Sequence, residues 1–406
     1  MEFFKDDKEM FDPASVKMQE IIVREGKKDD PKMTVLLEEA VNSYTKTYMA
    51  GNQALGRNLD ANAMRNHFYR FPGVDNDKDK TLSAMLRMAV IAQTQERYEK
   101  APVETDEQRA EKAALEGLVK QLFVELKRDF KPSDLPPYTL VKLGMHLAGT
   151  SQPEESIAYF DEILDPSEPD PVRKKARING MSKYRKNAVF GKAVALGRSK
   201  DNAKVDTAIK MMRDELSKEE SSSNPDRKAM EDAQYNLVKF TSARQDWPAV
   251  IAAADKYREN KTYKKNLPEV LYLQGEAYLK QNELDKALIN FMNITGTYKG
   301  LVKWSAPAVL AQMDTLWTRK RDLSQALKNC QQGGAPNVDR VEISRELSAV
   351  DAQYNEAQGV MESIIERETA IHNAEVAKQQ GNALSKAAEE MGKMLEISGG
   401  AQRLAQ

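Results

Sequence analysis

Apolar residues recur along this chain at intervals of three and four, the spacing that gathers them on one face of an α-helix. No run of alternating β-branched residues marks a strand. The pattern predicts helices over about 34–56, 79–100, 105–129, 138–149, 154–164, 171–196, 203–218, 227–243, 247–259, 268–280, 284–297, 303–318 and 322–331. Breakers fall between them: Phe71-Pro72-Gly73, Lys131-Pro132-Ser133, Leu135-Pro136-Pro137, the stretch 165–171, 221–225, and Gly333-Gly334-Ala335-Pro336. Helices joined by such short connections run antiparallel as hairpins. The expected class is all-α.

Within Glu269 to Ile294 the apolar positions also alternate in size. Gly275 and Ala287 are small enough to bring two helices close, while Leu271, Tyr278 and Phe291 fill the space beside them. Asn282-Glu283 forms a polar turn between the two. The same order of sizes occurs upstream in Leu140, Leu143, Gly144, Leu147, Ser156 and Phe160, with Pro169 beyond. A third copy, Tyr235, Leu237, Thr241, Val250, Ala254 and Tyr257, begins about thirty-seven residues before the first-quoted one.

These positions resemble the tetratricopeptide repeat, a helix–turn–helix unit of about 34 residues. The resemblance is clear over 231–301 and extends to 137–170. It implies an α-solenoid of antiparallel hairpins over 131–335, because a single hairpin buries too little apolar surface to stand alone. Further units are expected at 171–218, around Ala208 and Met212, and at 302–332. In the latter, Trp304, Ala308 and Ala311 would begin one helix and Leu323, Ala326 and Leu327 a second. Residues 1–130 read as degenerate repeats or a helical cap. The family binds ligands on the face lined by first helices, which carries over to Asp232, Tyr235, Lys239, Glu269, Tyr272, Glu276 and Leu279. Tyr272 and Glu276 stand where a carboxylate-clasping member has Lys and Asn, so the implied ligand is an extended or helical protein segment. The chain is also similar to bacterial cell-envelope repeat proteins that assist outer-membrane or secretion assemblies. A cytoplasmic co-chaperone-like adaptor is the alternative.

From Asn337 the character changes. Ile343, Leu347, Val350, Tyr354, Ala357, Met361 and Ile364 follow heptad steps of four and three, continuing to Ile371. Two readings stand: a coiled coil that makes a homo-oligomer, or a long helix capping the last repeat. This segment is expected over 336–398. Beyond Gly381-Asn382 a shorter helix with Leu384, Ala388, Met391 and Leu395 would fold back, and 399–406 would be a disordered tail.

Composition adds mainly exclusions. The chain has 61 basic and 62 acidic residues and a net charge of -1, so no overall field favours nucleic acid. No apolar run reaches the ~18 residues that span a bilayer. The start, MEFFKDDKEM, is too acidic for a signal peptide, so the expected compartment is the cytoplasm, or the periplasm and cell envelope if a targeting segment was removed. Cys330 is the sole cysteine, which rules out an intrachain disulfide. His67, His146 and His372 lie in separate contexts. Asp75, Asp77 and Asp79 alternate as in a calcium loop, but Lys80 and Leu86 stand where such a loop needs Gly and Glu; they read as caps of the next helix. Adjacent acids such as Glu38-Glu39 read as solvated surface. Arg173 to Arg177, with Lys183 and Arg185, form one basic patch. With no phosphate loop, HExxH or GxSxG, the expectation is a non-enzymatic scaffold without cofactor or metal, bound to a protein partner.

Overall fold

The computed structural model of the protein describes residues 7–28, 30, 32–57, 59–298, 300–333 and 337–404. Its description of helix side chains leaves out 8, 332–333, 337–339, 375 and 378–404. The described residues are all-helical, and none of them forms a strand. The chain divides into two compact units, Met1–Lys204 and Val205–Gln406, a division that falls inside the segment expected to be one array.

The first unit contains α1 (Lys8–Gly26), α2 (Thr34–Ala54), α3 (Ala61–Tyr69), α4 (Lys80–Lys100), α5 (Asp106–Asp129), α6 (Pro137–Ala148), α7 (Ile157–Leu164), α8 (Pro171–Met181) and α9 (Arg185–Gly197). α1 and α3 add to the predicted set. α1 starts because the Asp7 carboxylate accepts from the Glu9 and Met10 amides at 3.0 and 3.3 Å, capping a helix that carries Pro13 inside it. α4 is buried on almost every side between Leu82 and Ile91, and α1, α2, α3 and α5 all pack on it. α5 opens with a reciprocal box: Gln108 N donates to Thr105 Oγ1 at 3.2 Å, and Thr105 N to Gln108 Oε1 at 3.1 Å.

α6 begins after Pro136, which offers no capping side chain. Glu38, from α2, supplies one. Its carboxylate accepts from Tyr138 N, Thr139 N and Thr139 Oγ1, each at 3.0 Å. Glu38 is 2% exposed, which corrects its reading as solvated surface. A helix N-terminus without a local cap needs an outside acceptor, and a buried carboxylate is one. Burial pushes the Glu38 carboxyl up to about 7, against the lowering effect of those hydrogen bonds.

The predicted helix over 171–196 is two helices separated by a 3-10 turn, Ser182–Tyr184. The halves have different tasks. Arg177 of α8 donates to the carbonyls of Ser133 and Leu135, whereas α9 packs on both α6 and α7. At the centre of that contact, fully buried Phe160 lies between Gly144 and Gly191. A Cβ on Gly144 would come within 2.8 Å of the Phe160 ring, and one on Gly191 would overlap the ring.

α10 (Asn202–Glu220) carries the unit boundary. The second unit continues with α11 (Arg227–Ala243), α12 (Trp247–Glu259), α13 (Leu267–Lys280), α14 (Leu284–Thr297), α15 (Val302–Gly333) and α16 (Asn337–Leu404). From α11 to α16 consecutive helices pack on one another, and α13 also touches α11 and α15. The α11–α12 and α13–α14 turns are the same turn. Gln245 and Asn282, thirty-seven residues apart, both take positive φ, at 58° and 59°. The next amide reaches back alike in each: Asp246 N to Thr241 O at 3.1 Å, and Glu283 N to Tyr278 O at 2.9 Å.

In the α13–α14 hairpin a Cβ on Gly275 would come within 2.6 Å of the Phe291 ring, which is fully buried. The Gly144–Phe160 contact has the same sixteen-residue spacing. At the matching turn-aligned positions, the α11–α12 hairpin has Val238 and Ala254, both fully buried. The large partner and the small one have exchanged helices there, which preserves volume at the contact.

Two C-terminal boundaries differ from expectation. α15 runs unbroken through 319–321, so the predicted pair of helices at 303–318 and 322–331 is one helix. Arg319, at the expected break, pairs with Asp285 of α14 and Glu346 of α16, and Lys320 pairs with Asp351 at 2.6 Å. α16 is helical through Gly381-Asn382 to Leu404, without the expected fold-back or loose tail.

Candidate functional site

α11 and α13 lie side by side, and the first four groove positions meet across them. The Tyr235 hydroxyl donates to Glu269 Oε2 at 2.6 Å. Lys239 Nζ lies 3.8 Å from Glu269 Oε1 and 5.3 Å from the centre of the Tyr235 ring. Burial and the Glu269 bond hold the Tyr235 hydroxyl protonated far above its ordinary range, and Asp232 adds to that. Tyr235 is therefore a fixed donor, and Glu269 is an acceptor engaged by two groups.

The remaining three positions form a second strip along α13. The Tyr272 ring lies 5.9 Å from Phe291 and 6.4 Å from Trp304 of α15. Burial raises the Glu276 carboxyl, against the lowering effect of the nearby Tyr272 hydroxyl and Lys280. Leu279, like Tyr272 and Trp304, packs against the buried cluster around Phe291. Trp304, expected from sequence to begin a first helix, continues this line of rings. Aromatic rings and partly engaged carboxylates on rigid helices can hold a peptide, but they offer no nucleophile with an adjacent base.

The packing positions Leu143, Gly144, Leu147, Ser156 and Phe160 are buried, as are Leu271, Gly275, Ala287 and Phe291. Tyr278 is half-buried beneath Lys286. In the heptad seam, Val350, Ala357 and Ile364 are buried against Leu288, Val309 and Leu316, with Tyr354 and Met361 packed alongside. Ile343 and Leu347 are half-buried. The seam thus meets α15 of its own chain, with Leu288 of α14 in the same cluster. Arg340 donates to the Cys330 carbonyl at 2.8 Å near the hairpin end.

Other sequence candidates are occupied structurally. His67 stacks on Tyr48 with centroids 4.6 Å apart, and His146 on Phe123 at 4.0 Å; burial lowers both pKa values. Asp79 precedes α4 but does not cap it, because its carboxylate accepts from Asp75 N at 2.9 Å instead. Among the described residues no group of three or more His, Cys, Asp or Glu could hold a metal ion. The basic patch is matched by acids: Arg173 with Glu168, Lys174 with Asp165, Arg177 with Glu162, and Lys183 with Glu39. No described helix is long and apolar enough to cross a membrane.

Compared with known proteins, the chain matches no protein-family model and no curated protein.

Proposed function

We propose that the protein is a non-enzymatic interaction scaffold, an α-solenoid of tetratricopeptide-like hairpins that holds a protein segment across α11, α13 and α15. The observation that carries this reading is the recurrence of one contact. Gly144 on Phe160 and Gly275 on Phe291 share a spacing, and the α11–α12 hairpin keeps the same turn with the sizes exchanged. Repeated hairpins of this kind build surface rather than active sites. The strip from Tyr235 to Trp304 has the ring content and fixed polar groups that peptide grooves use. A place in a bacterial cell-envelope assembly belongs to the same proposal, resting on the likeness of the repeat segment alone.

The test is affinity capture from the native host with wild type and with Tyr235→Ala, Tyr272→Ala. Loss of a protein partner in the variant, with helix content by circular dichroism retained at the capture temperature, is expected; a Tyr235→Phe, Tyr272→Phe variant, which keeps the rings, should lose less. An identical set of captured proteins would refute the groove. Cell fractionation of the same host decides the compartment.

A further inference from the structure

Between α7 and α9 the chain makes a twenty-residue excursion, 165–184, that carries α8. It leaves and returns at one place, where Arg185 Nη1 donates to the Leu164 carbonyl at 3.3 Å. Across that base α9 packs directly on α7 and α6, so the core around Phe160 closes without α8. α8 itself buries one side chain, Met181 at its last position. Val172 is 78% exposed, and Ile178 is exposed as well. A helix that belonged to the core would turn these aliphatic groups inward. Beneath α8 lies a cavity of about 210 Å³, lined on its far side by Thr34 of α2, Thr81 of α4 and residues 133–137 at the start of α6. Helices packed through their side chains leave no such space between them.

What holds the excursion is polar. Two of its pairs are internal: Arg173 with Glu168 at 3.4 Å and Lys174 with Asp165 at 2.7 Å tie the helix to its own lead-in. Lys183, in the returning turn, pairs with Glu39 of α2. The other ties to the body converge on Glu162 of α7, which is 6% exposed. Its carboxylate accepts from Ser167 N at 3.2 Å and Ser167 Oγ at 2.7 Å, and lies 3.3 Å from the Arg177 guanidinium. Arg177 reaches on to the Ser133 and Leu135 carbonyls, at 3.0 and 3.2 Å. One carboxylate and one guanidinium thus clasp both the lead-in and the helix.

We propose that 165–184 is a flap, closed over the cavity by the Glu162–Arg177 clasp, that opens about its Leu164–Arg185 base while α6, α7 and α9 stay packed. Opening admits water to the cavity and to the start of α6. An isolated helix of 11 residues is marginal in water, so α8 unfolds when it detaches, and its amides report each opening. The flap lies in the first unit and does not depend on the α11–α13–α15 strip.

Hydrogen–deuterium exchange of the full chain, read by mass spectrometry, tests this. In wild type the amides of 174–181 are expected to exchange roughly a hundredfold faster than the hydrogen-bonded amides of α6, α7 and α9. Glu162→Gln keeps an acceptor for Ser167 but removes the charge from the clasp, and should speed 174–181 by roughly a further tenfold. Arg177→Met should do the same, with α6, α7 and α9 unchanged in both variants. Lys174→Ala removes only a tie within the flap, an exposed pair, and should change its exchange by less than about threefold. Three results would each overturn the proposal: α8 exchanging in step with α7 and α9 in wild type, no acceleration in either clasp variant, or acceleration of all four helices alike.

Discussion

Alanine at Gly275 and at Gly359 should change stability in opposite directions. Both glycines lie inside helices, α13 and α16, where Gly→Ala contributes about 0.8–1 kcal/mol from backbone propensity alone. Around Gly359 an added Cβ meets nothing within 4 Å, so the full gain should appear. At Gly275 the same atom would sit 2.6, 2.8 and 3.1 Å from three carbons of the Phe291 ring, where carbon atoms prefer roughly 3.5–4.0 Å. Phe291 is fully buried and cannot swing aside, so the hairpin must open, at a cost of about 1–3 kcal/mol. After the propensity gain, Gly275→Ala should destabilise by up to about 2 kcal/mol, lowering Tm by roughly 4–8 °C in a unit of this size. Trp247, Trp304 and Trp317 are all in the second unit, so tryptophan fluorescence during urea or thermal unfolding reports on the unit that holds both glycines. Phe291→Leu in the Gly275→Ala background should recover part of the loss in a double-mutant cycle. A Gly275→Ala variant as stabilised as Gly359→Ala would refute the claim that ring contact, not backbone freedom, requires glycine there.

Three further outcomes follow from the geometry. In the first unit, Gly191→Ala should destabilise more than Gly144→Ala by circular dichroism, because its Cβ would intrude further on Phe160; the reverse order would sink that reading. Glu38 binds its proton at about 7 in the fold against 4.5 ordinarily, so its contribution is fully present below 4.5 and is lost as pH rises through 7. That loss is on the order of 3 kcal/mol, and Glu38→Gln should remove it. Equal pH slopes of Tm between 5 and 8 in the two proteins would contradict this. Light scattering should give the monomer mass for the full chain and for a chain ending at His372, since Val350, Ala357 and Ile364 of the seam are buried against α15; a dimer lost on truncation would show that α16 pairs with a second copy.

The hairpins were legible because their packing is written locally: a glycine and a phenylalanine sixteen residues apart need only each other. The continuity of α15 was not, since Thr318 to Leu323 offers neither a breaker nor a strong apolar face. What holds that stretch are charges on Asp285 and Glu346, distant in sequence. The groove positions were placed on adjacent helices from the repeat pattern, but the Tyr235–Glu269 bond was not foreseen, nor was Trp304 as its neighbour strip. Glu38 was misread because adjacent glutamates usually face solvent. The signal that would have found it lies a hundred residues away, in the missing cap of the Leu135-Pro136-Pro137 helix start.

That distant cap has a consequence for the order of assembly. α6 has no local group to stabilise its first turn, so nucleating it depends on a side chain from early in the chain. Because synthesis proceeds from the N-terminus, α2 has left the ribosome before Pro137 is added. The amino-terminal helices then act as a template on which α6 is initiated. Permuting the chain so that α2 is made last would leave α6 waiting, and should slow folding of the first unit more than it lowers its final stability.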